Sequence, residues 1–351
     1  MLVQEGHSYY KEDMKVARNP AGALSLPSNV GFLLIDRFGL MTYASIVEPF
    51  RAANVLSGRT LYNWRTISVG PAVVHAASGD GILVDTTIKE EPKFEILFVC
   101  AGGNAVDFRD QQTFAWLRRQ ASRGGRIVGV SGGPFLLARA GLLAGRRCTV
   151  HWEHLPAFRE EFTQLRVEDK LYVVDGRRMT CAGGSAGMDL ALQMIASDHN
   201  QAISTAVSDW YIKHQLRDPT SAQRMSARQR YGVESPALAR AFLLMENNIA
   251  EPLSCAEIAR RSGMSVRHLE RLFVAETEAT MFEQYKRIRL RHAAALLRET
   301  DLSATEIAVA SGFTTAAHFS RSFSHRYGVT PRQARRRAPN LADLGRVDIE
   351  D

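Results

Sequence analysis

The stretch from Leu253 to Phe323 limits what this chain can fold into more than any other, because it spells one pattern twice. Leu253-Ser254, Glu257-Ile258-Ala259 and Ser262-Gly263-Met264 return 49 residues later as Leu302-Ser303, Glu306-Ile307-Ala308 and Ser311-Gly312-Phe313. The match then continues one residue out of step, with His268, Leu269, Arg271 and Phe273 answered by His318, Phe319, Arg321 and Phe323. Two copies of one supersecondary unit are implied. Each copy reads as helix, tight turn, helix. Ser254 and Ser303 suit an N-cap with Glu three residues on. Gly263 and Gly312 suit the positive φ of an abrupt turn. Ser265 and Thr314 are expected to cap the second helices, whose buried faces carry Leu269, Leu272 and Phe273, or Phe319 and Phe323.

The outer face of the first of these helices is expected to carry Val266, Arg267, Glu270 and Arg271, and that of the second Thr315, Ala316, Ser320 and Arg321. Arg, Ser and Thr on an exposed helix beside a bend are what major-groove reading and phosphate contact require. Two hairpins of an ordinary bundle with solvated arginines would explain one such unit. The duplication, the two glycines and the basic run Arg335-Arg336-Arg337 favour double-stranded DNA as the partner. Charge agrees: Ser235 to Asn340 holds 16 Lys/Arg and 10 Asp/Glu, so this minority of the chain carries +6 of the formal +7. Between the copies, Phe282 to Leu297 has the period of a long amphipathic helix, a rod expected to hold the reading helices about one turn of DNA apart.

Residues 235–339 resemble the DNA-binding domain of the AraC/XylS family. The resemblance rests on Gly312, Phe313, Phe319 and Phe323, followed by Tyr327-Gly328-Val329-Thr330-Pro331. It implies base-reading and phosphate-contacting roles for Arg267, Glu270 and Arg271 in the first copy and for Ala316, Ser320 and Arg321 in the second. Ala316 is too short to read a polar base edge, which leaves the second copy phosphate and thymine-methyl contacts. Arg335 is expected to touch phosphate.

A chain of 351 residues is long for one core, so a further domain is expected before this one. After Pro27 the text alternates strand and helix. Apolar runs at Asn29–Ile35, Trp64–Val69, Glu95–Cys100 and Arg126–Val130 read as buried parallel strands. Helices are expected over Ser45–Asn54, Gln111–Arg123, Phe135–Ala140, Met188–Ile195 and His199–Arg217. This is the rhythm of a doubly wound, flavodoxin-like α/β sheet, in which ligands bind beyond the carboxyl ends of the strands. Three glycine-bearing strand exits fit: Cys100–Asn104 with Gly103, Ser131–Pro134 with Gly132, and Thr180–Ala186 with Gly183 and Gly184. The last opens a helix whose amides suit a carboxylate.

Residues 28–200 resemble the class I glutamine amidotransferase-like superfamily in its PfpI-like branch. The resemblance implies a strained strand-to-helix elbow at Val130-Ser131-Gly132-Gly133-Pro134, with Ser131 at the position of the enzymes' nucleophilic cysteine. Serine lacks the low pKa of a thiol and needs a dedicated base, and Gly132 supplies none, so a binding cleft is expected rather than a hydrolase. The competing reading is a deglycase or amidase-like enzyme with a fused DNA anchor. Glu48 is expected at the superfamily's cleft-facing acid position. His151-Trp152-Glu153-His154 lacks a third ligand at metal spacing; His151 and Trp152 are read instead as cleft wall, with Tyr43 and Trp64 as lesser candidates. No metal or cofactor is expected.

Together the two halves have the layout of a group of bacterial regulators. Val47–Asn54 and Cys148–Phe158 resemble members governing arginine, carnitine and glycine-betaine catabolism. That implies a small amino-acid or quaternary-amine effector, a homodimer, RNA polymerase as a partner and activation of transcription. The boundaries expected are a disordered lead-in over 1–27, a sensing domain over 28–217, a linker over 218–234, the DNA-binding domain over 235–339 and a tail over 340–351. Four cysteines without CxxC spacing suit reduced thiols in a cytoplasm. No secretory signal or membrane-spanning run is seen.

Overall fold

The computed structural model describes residues 27–336; the expected tail, Arg337 and all but the last residue of the expected lead-in lie outside them. The chain divides into two units after Gln223.

In the first unit seven strands form one sheet, in the spatial order Tyr172–Asp175, Arg178–Cys181, Arg126–Ser131, Ile96–Ala101, Ser28–Leu34, Tyr62–Ser68, Thr86–Thr87. Only the Tyr172–Asp175 hairpin is antiparallel; every other pair is parallel. Successive side chains point to opposite faces, and helices cover both, which is why the central strands read as unbroken apolar runs. Phe32, Phe98 and Val128 pack with Phe50, Leu190 and Val207 on one face. Leu33, Leu97 and Ile127 pack with Trp116, Phe135 and Phe158 on the other. Each fully buried phenylalanine among them is worth about 1.5–3 kcal/mol of transfer free energy.

Two expectations change at the end of this unit. The helix foreseen over His199–Arg217 covers only Gln201–Trp210: Asn200 caps it, accepting from the Ile203 amide, and Ile212 takes a left-handed φ of 56°. Residues 218–234, foreseen as a linker, are shared between the units. Gln223 bonds to Thr149 and Lys170 of the first unit. Arg230 and Tyr231 bond to Glu246 in the second, and the Tyr231 ring stacks on Phe242 at 3.8 Å.

The described part of the second unit is all helical: Ala227–Arg230, Pro236–Asn247, Cys255–Arg261, Val266–Thr277, Met281–Glu299, Ala304–Ala310, Ala316–Tyr327 and Pro331–Arg336. The nineteen-residue helix Met281–Glu299, about 28 Å long at 1.5 Å per residue, belongs to two cores at once. Met281, Tyr285 and Ile288 pack with Leu269 and Phe273 of the first copy. Leu290, Ala293 and Leu296 pack with Phe319 and Phe323 of the second. No helix among the described residues is long and apolar enough to cross a membrane.

Candidate functional site

The elbow at the end of Arg126–Ser131 is formed as the sequence implies. Ser131 sits at φ 58°, a left-handed conformation costly to a residue with a Cβ, and close packing holds it there. A Cβ on Gly132 would lie 2.5 Å from the Gly102 carbonyl, and one on Gly133 2.1 Å from the Val99 carbonyl. Gly183, at φ 83°, could not carry a Cβ without reaching 2.7 Å from that of Ser131. The Gly132 amide donates to the Ala101 carbonyl at 2.9 Å. The three glycine-bearing exits thus meet at one point. The residue that closes the first exit is Gly102, where a Cβ would lie 2.1 Å from the Arg37 carbonyl; the expected Gly103 is exposed with open space around it.

His151 is brought to this point too. Its amide donates to the Ser131 carbonyl at 3.3 Å, while its Nδ1 accepts from the Glu153 amide at 3.4 Å as the cap of a short 3-10 turn. The Trp152 indole follows, 40% exposed, with its ring 5.4 Å from that of His151. His154 turns inward against Phe135. Among the described residues no group of three or more His, Cys, Asp or Glu side chains could hold a metal ion.

Glu48 lies elsewhere. The helix Leu40–Ser57 faces the elbow through Thr42 and Ser45: Thr42 Oγ1 accepts from the Gly184 amide at 2.9 Å, and Ser45 Oγ donates to the Gly184 carbonyl at 2.7 Å. Glu48, three residues beyond Ser45 and so about 60° round the helix from it, is engaged by other partners. Its carboxylate accepts from Arg51 and from the Tyr211 hydroxyl, each at 2.8 Å, and the Arg51 bond leads in holding it below the usual carboxylate range. The residues of this helix that meet the elbow are therefore Thr42 and Ser45, which the sequence did not single out because small hydroxyl residues in a helix read as ordinary caps or packing. Tyr43 lies edge-on to Phe32 and Phe38, and burial pushes its phenol up to about 12. It is half-buried against the sheet and keeps its proton at neutral pH.

In the helical unit both turns carry the expected positive φ, 77° at Gly263 and 72° at Gly312. Ser265 caps the first reading helix, accepting from the His268 amide. Thr315, not Thr314, caps the second, accepting from the His318 amide at 3.1 Å. The extra residue that puts the copies out of step is therefore in the turn. Counting from the caps, Arg267 corresponds to Ala317, Glu270 to Ser320 and Arg271 to Arg321. The expected Ala316 instead matches Val266 and packs half-buried on the second core, while Ala317 is the exposed residue.

Arg267, Arg271 and Arg321 are exposed, as a groove-facing surface requires, and Thr314 and Thr315 are exposed beside them. Ser320 is half-buried, and so is Glu270, whose carboxylate accepts from the Met281 amide at 3.3 Å, the start of the shared helix. Arg335 differs from expectation as well: it is half-buried and donates to the Leu302 carbonyl, fastening the entry to the second copy, while Arg336 is exposed. Sequence reasoning also missed how the turns are pinned. Arg240 donates to the Ser262 carbonyl at 3.0 Å. Forty-nine residues later Arg289 donates to the Ser311 carbonyl at 2.9 Å and the Gly312 carbonyl at 2.5 Å, its guanidinium 4.2 Å from the centre of the Phe313 ring. The repeat thus begins one helix earlier than its side-chain pattern shows, and the 49-residue spacing of the two arginines was the signal available for it.

Comparison with known proteins agrees with both halves. The chain matches the DJ-1/PfpI family over residues 32–197 and a helix-turn-helix domain family over residues 258–337. It is 42% identical over 310 residues to the HTH-type transcriptional regulator GlxA of Rhizobium meliloti, covering 88% of this chain and 96% of that one. With Pseudomonas aeruginosa the HTH-type transcriptional regulator GbdR gives 37% over 313 residues, 89% and 85% of the two chains. The regulator CdhR of the same organism gives 37% over 304 residues, 87% and 90%.

Proposed function

Since the chain belongs to the HTH-type transcriptional regulators that join a DJ-1/PfpI domain to an AraC-type helix-turn-helix domain, we propose that its first unit senses a small metabolite. The second then binds promoter DNA in response. The observation that carries the sensing half is the meeting of three strand exits on Ser131 with no thiol at the elbow. A serine nucleophile lacks the low pKa of a thiol and needs a dedicated base, and the next residue, Gly132, supplies none. We therefore read the cleft as binding rather than hydrolytic.

The effector we favour is a small amino acid or a quaternary amine of the glycine betaine, choline or carnitine kind. The exposed Trp152 face suits a methylated ammonium; the Gly183 and Gly184 amides, expected to suit a carboxylate, already donate to Cys181 Sγ and Thr42 Oγ1. The protein would act in the bacterial cytoplasm as a homodimeric activator, with Arg267 and Arg271 reading bases and RNA polymerase recruited at the promoter. A melting screen against glycine betaine, dimethylglycine, carnitine, choline and arginine tests this, because a ligand that binds only the folded state must raise its stability. Ser131→Ala should keep the promoter response. Turnover of a substrate that disappears in that variant would favour the enzyme reading instead.

A further inference from the structure

We propose that residues 211–223, the last of the first unit, form a strap that couples the cleft to the chain's exit toward the DNA-binding half. The proposal rests on the ligand-cleft reading above, and its anchors are specific.

The first anchor is Asp189, whose side chain is 0% exposed. A carboxylate so placed needs charged partners, and the strap supplies them. Arg217 donates through Nε at 3.0 Å, Nη2 at 2.6 Å and its own amide at 3.1 Å, and Lys213 Nζ lies 3.1 Å away. Arg217 Nη2 also donates to Ser185 Oγ at 3.0 Å. Ser185 follows Gly184, the residue that Thr42 and Ser45 hold in the wall of the elbow.

The second anchor is Gln223. Its side-chain amide donates to the Val150 carbonyl at 2.9 Å, the Lys170 carbonyl at 3.0 Å and Thr149 Oγ1 at 3.2 Å. Val150 immediately precedes His151, which is bonded to Ser131. Each end of the strap is thus tied one residue behind a different wall of the same cleft. Between the anchors the Pro219 carbonyl accepts from the amide of Leu171, the residue before the strand Tyr172–Asp175, at 3.1 Å. Hydrogen bonds weaken once stretched past about 3.2 Å or bent below about 120°. A ligand that repositions either wall therefore changes how firmly the exit is held, and by linkage the strap changes ligand affinity in return.

Hydrogen–deuterium exchange on the full chain tests this with Gln223→Ala and Arg217→Lys, with and without glycine betaine, alongside promoter titrations. Arg217→Lys keeps a cation on Asp189, which guards against simple unfolding, and unchanged exchange over Ser28–Leu34 reports an intact sheet. Without ligand, Gln223→Ala should speed exchange over residues 149–154, and Arg217→Lys over residues 183–189. About fivefold is expected, the worth of one buried hydrogen bond. Any effect of glycine betaine on promoter affinity should shrink toward none in both variants. If neither variant alters exchange at its cleft wall, the strap is refuted whether or not a ligand binds. If the variants open both walls but no effector protects them in the unaltered chain, the strap stands and the ligand reading falls.

Discussion

The two helix-turn-helix copies share a plan but divide the work differently. In the first, the reading helix shows Arg267 and Arg271 to solvent, and its turn is held by one contact from Arg240. In the second, the corresponding surface is Ala317 and Arg321, and the turn is clamped by two carbonyl bonds and a ring contact from Arg289, with His292 Nδ1 3.2 Å from Ser311 Oγ. Capping differs too. Glu306 closes a reciprocal box with Ser303, whereas Glu257 turns outward to Arg260 and Arg261, whose bonds hold its carboxyl down at about 2. Exposed arginines are concentrated in the copy whose turn is held by one side-chain bond, and structural fastening in the other. A duplicated unit can divide in this way because the core positions repeat while the exposed ones are free to differ.

The sharpest break in the comparison is at the turn glycines. Gly312→Ala would place a Cβ 2.3 Å from the Ile249 carbonyl at a φ of 72°, whereas Gly263→Ala meets nothing within 4 Å. Unfolding by denaturant should show a loss of at least about 3 kcal/mol for the first and about 1 kcal/mol for the second. Equal losses would mean the second turn is no tighter than the first.

Between pH 6.5 and 4, acid should strain the second copy more than the first. Burial pulls the His292 imidazole down to about 4 from its ordinary 6.5, and the matching residue of the first copy is Leu243. Between those values the unfolded chain binds the proton more readily. This contribution to stability is complete above pH 6.5 and is lost as pH falls toward 4, by at most about 3 kcal/mol. Melting curves of His292→Leu across that range should be flatter than those of the unaltered chain; parallel curves would remove His292 as the cause.

Smaller effects follow at the pins. Arg289→Met removes two carbonyl bonds and the cation over the Phe313 ring, and should cost about 2 kcal/mol. Arg240→Met removes a single carbonyl bond and should cost about 1 kcal/mol. On DNA the order reverses. Arg267→Ala or Arg271→Ala should reduce the preference for promoter over random duplex by about tenfold, and Arg321→Ala by about threefold. Competition titrations giving the opposite ranking would assign reading to the second copy. Arg336→Ala should lower the salt slope of binding by about one with specificity kept, while Arg335→Ala should show itself in stability, through Leu302.

Much of this was written in local sequence. The turn glycines, the caps Ser254, Ser265 and Ser303 and the apolar strand runs depend on neighbours a few residues away, where spacing and backbone preference suffice, whereas the strained elbow at Ser131 was implied by the family resemblance and is held by packing from distant glycines. The cap of the second reading helix was missed because Thr314 and Thr315 are equally good caps in isolation. What separates them is the packing of Phe319 and Phe323, which fixes the rotation of the helix. Glu48 and Thr42 share a helix, and only the structure shows that Thr42 is bonded to Gly184 while Glu48 is bonded to Arg51 and Tyr211.

Sequence by itself therefore determined the two fold classes, the duplication and the positions needing glycine, because hydrophobic period and φ preference are local properties. Only the tertiary structure decided which arginines face solvent and which are spent on carbonyls, as Arg240, Arg289 and Arg335 are. Only it could join Asp189 to Arg217 and Gln223 to Val150 across long stretches of chain. A guanidinium or a carboxamide has the same preferences in every sequence, and its role is set by whichever unpaired group the fold brings within hydrogen-bonding reach.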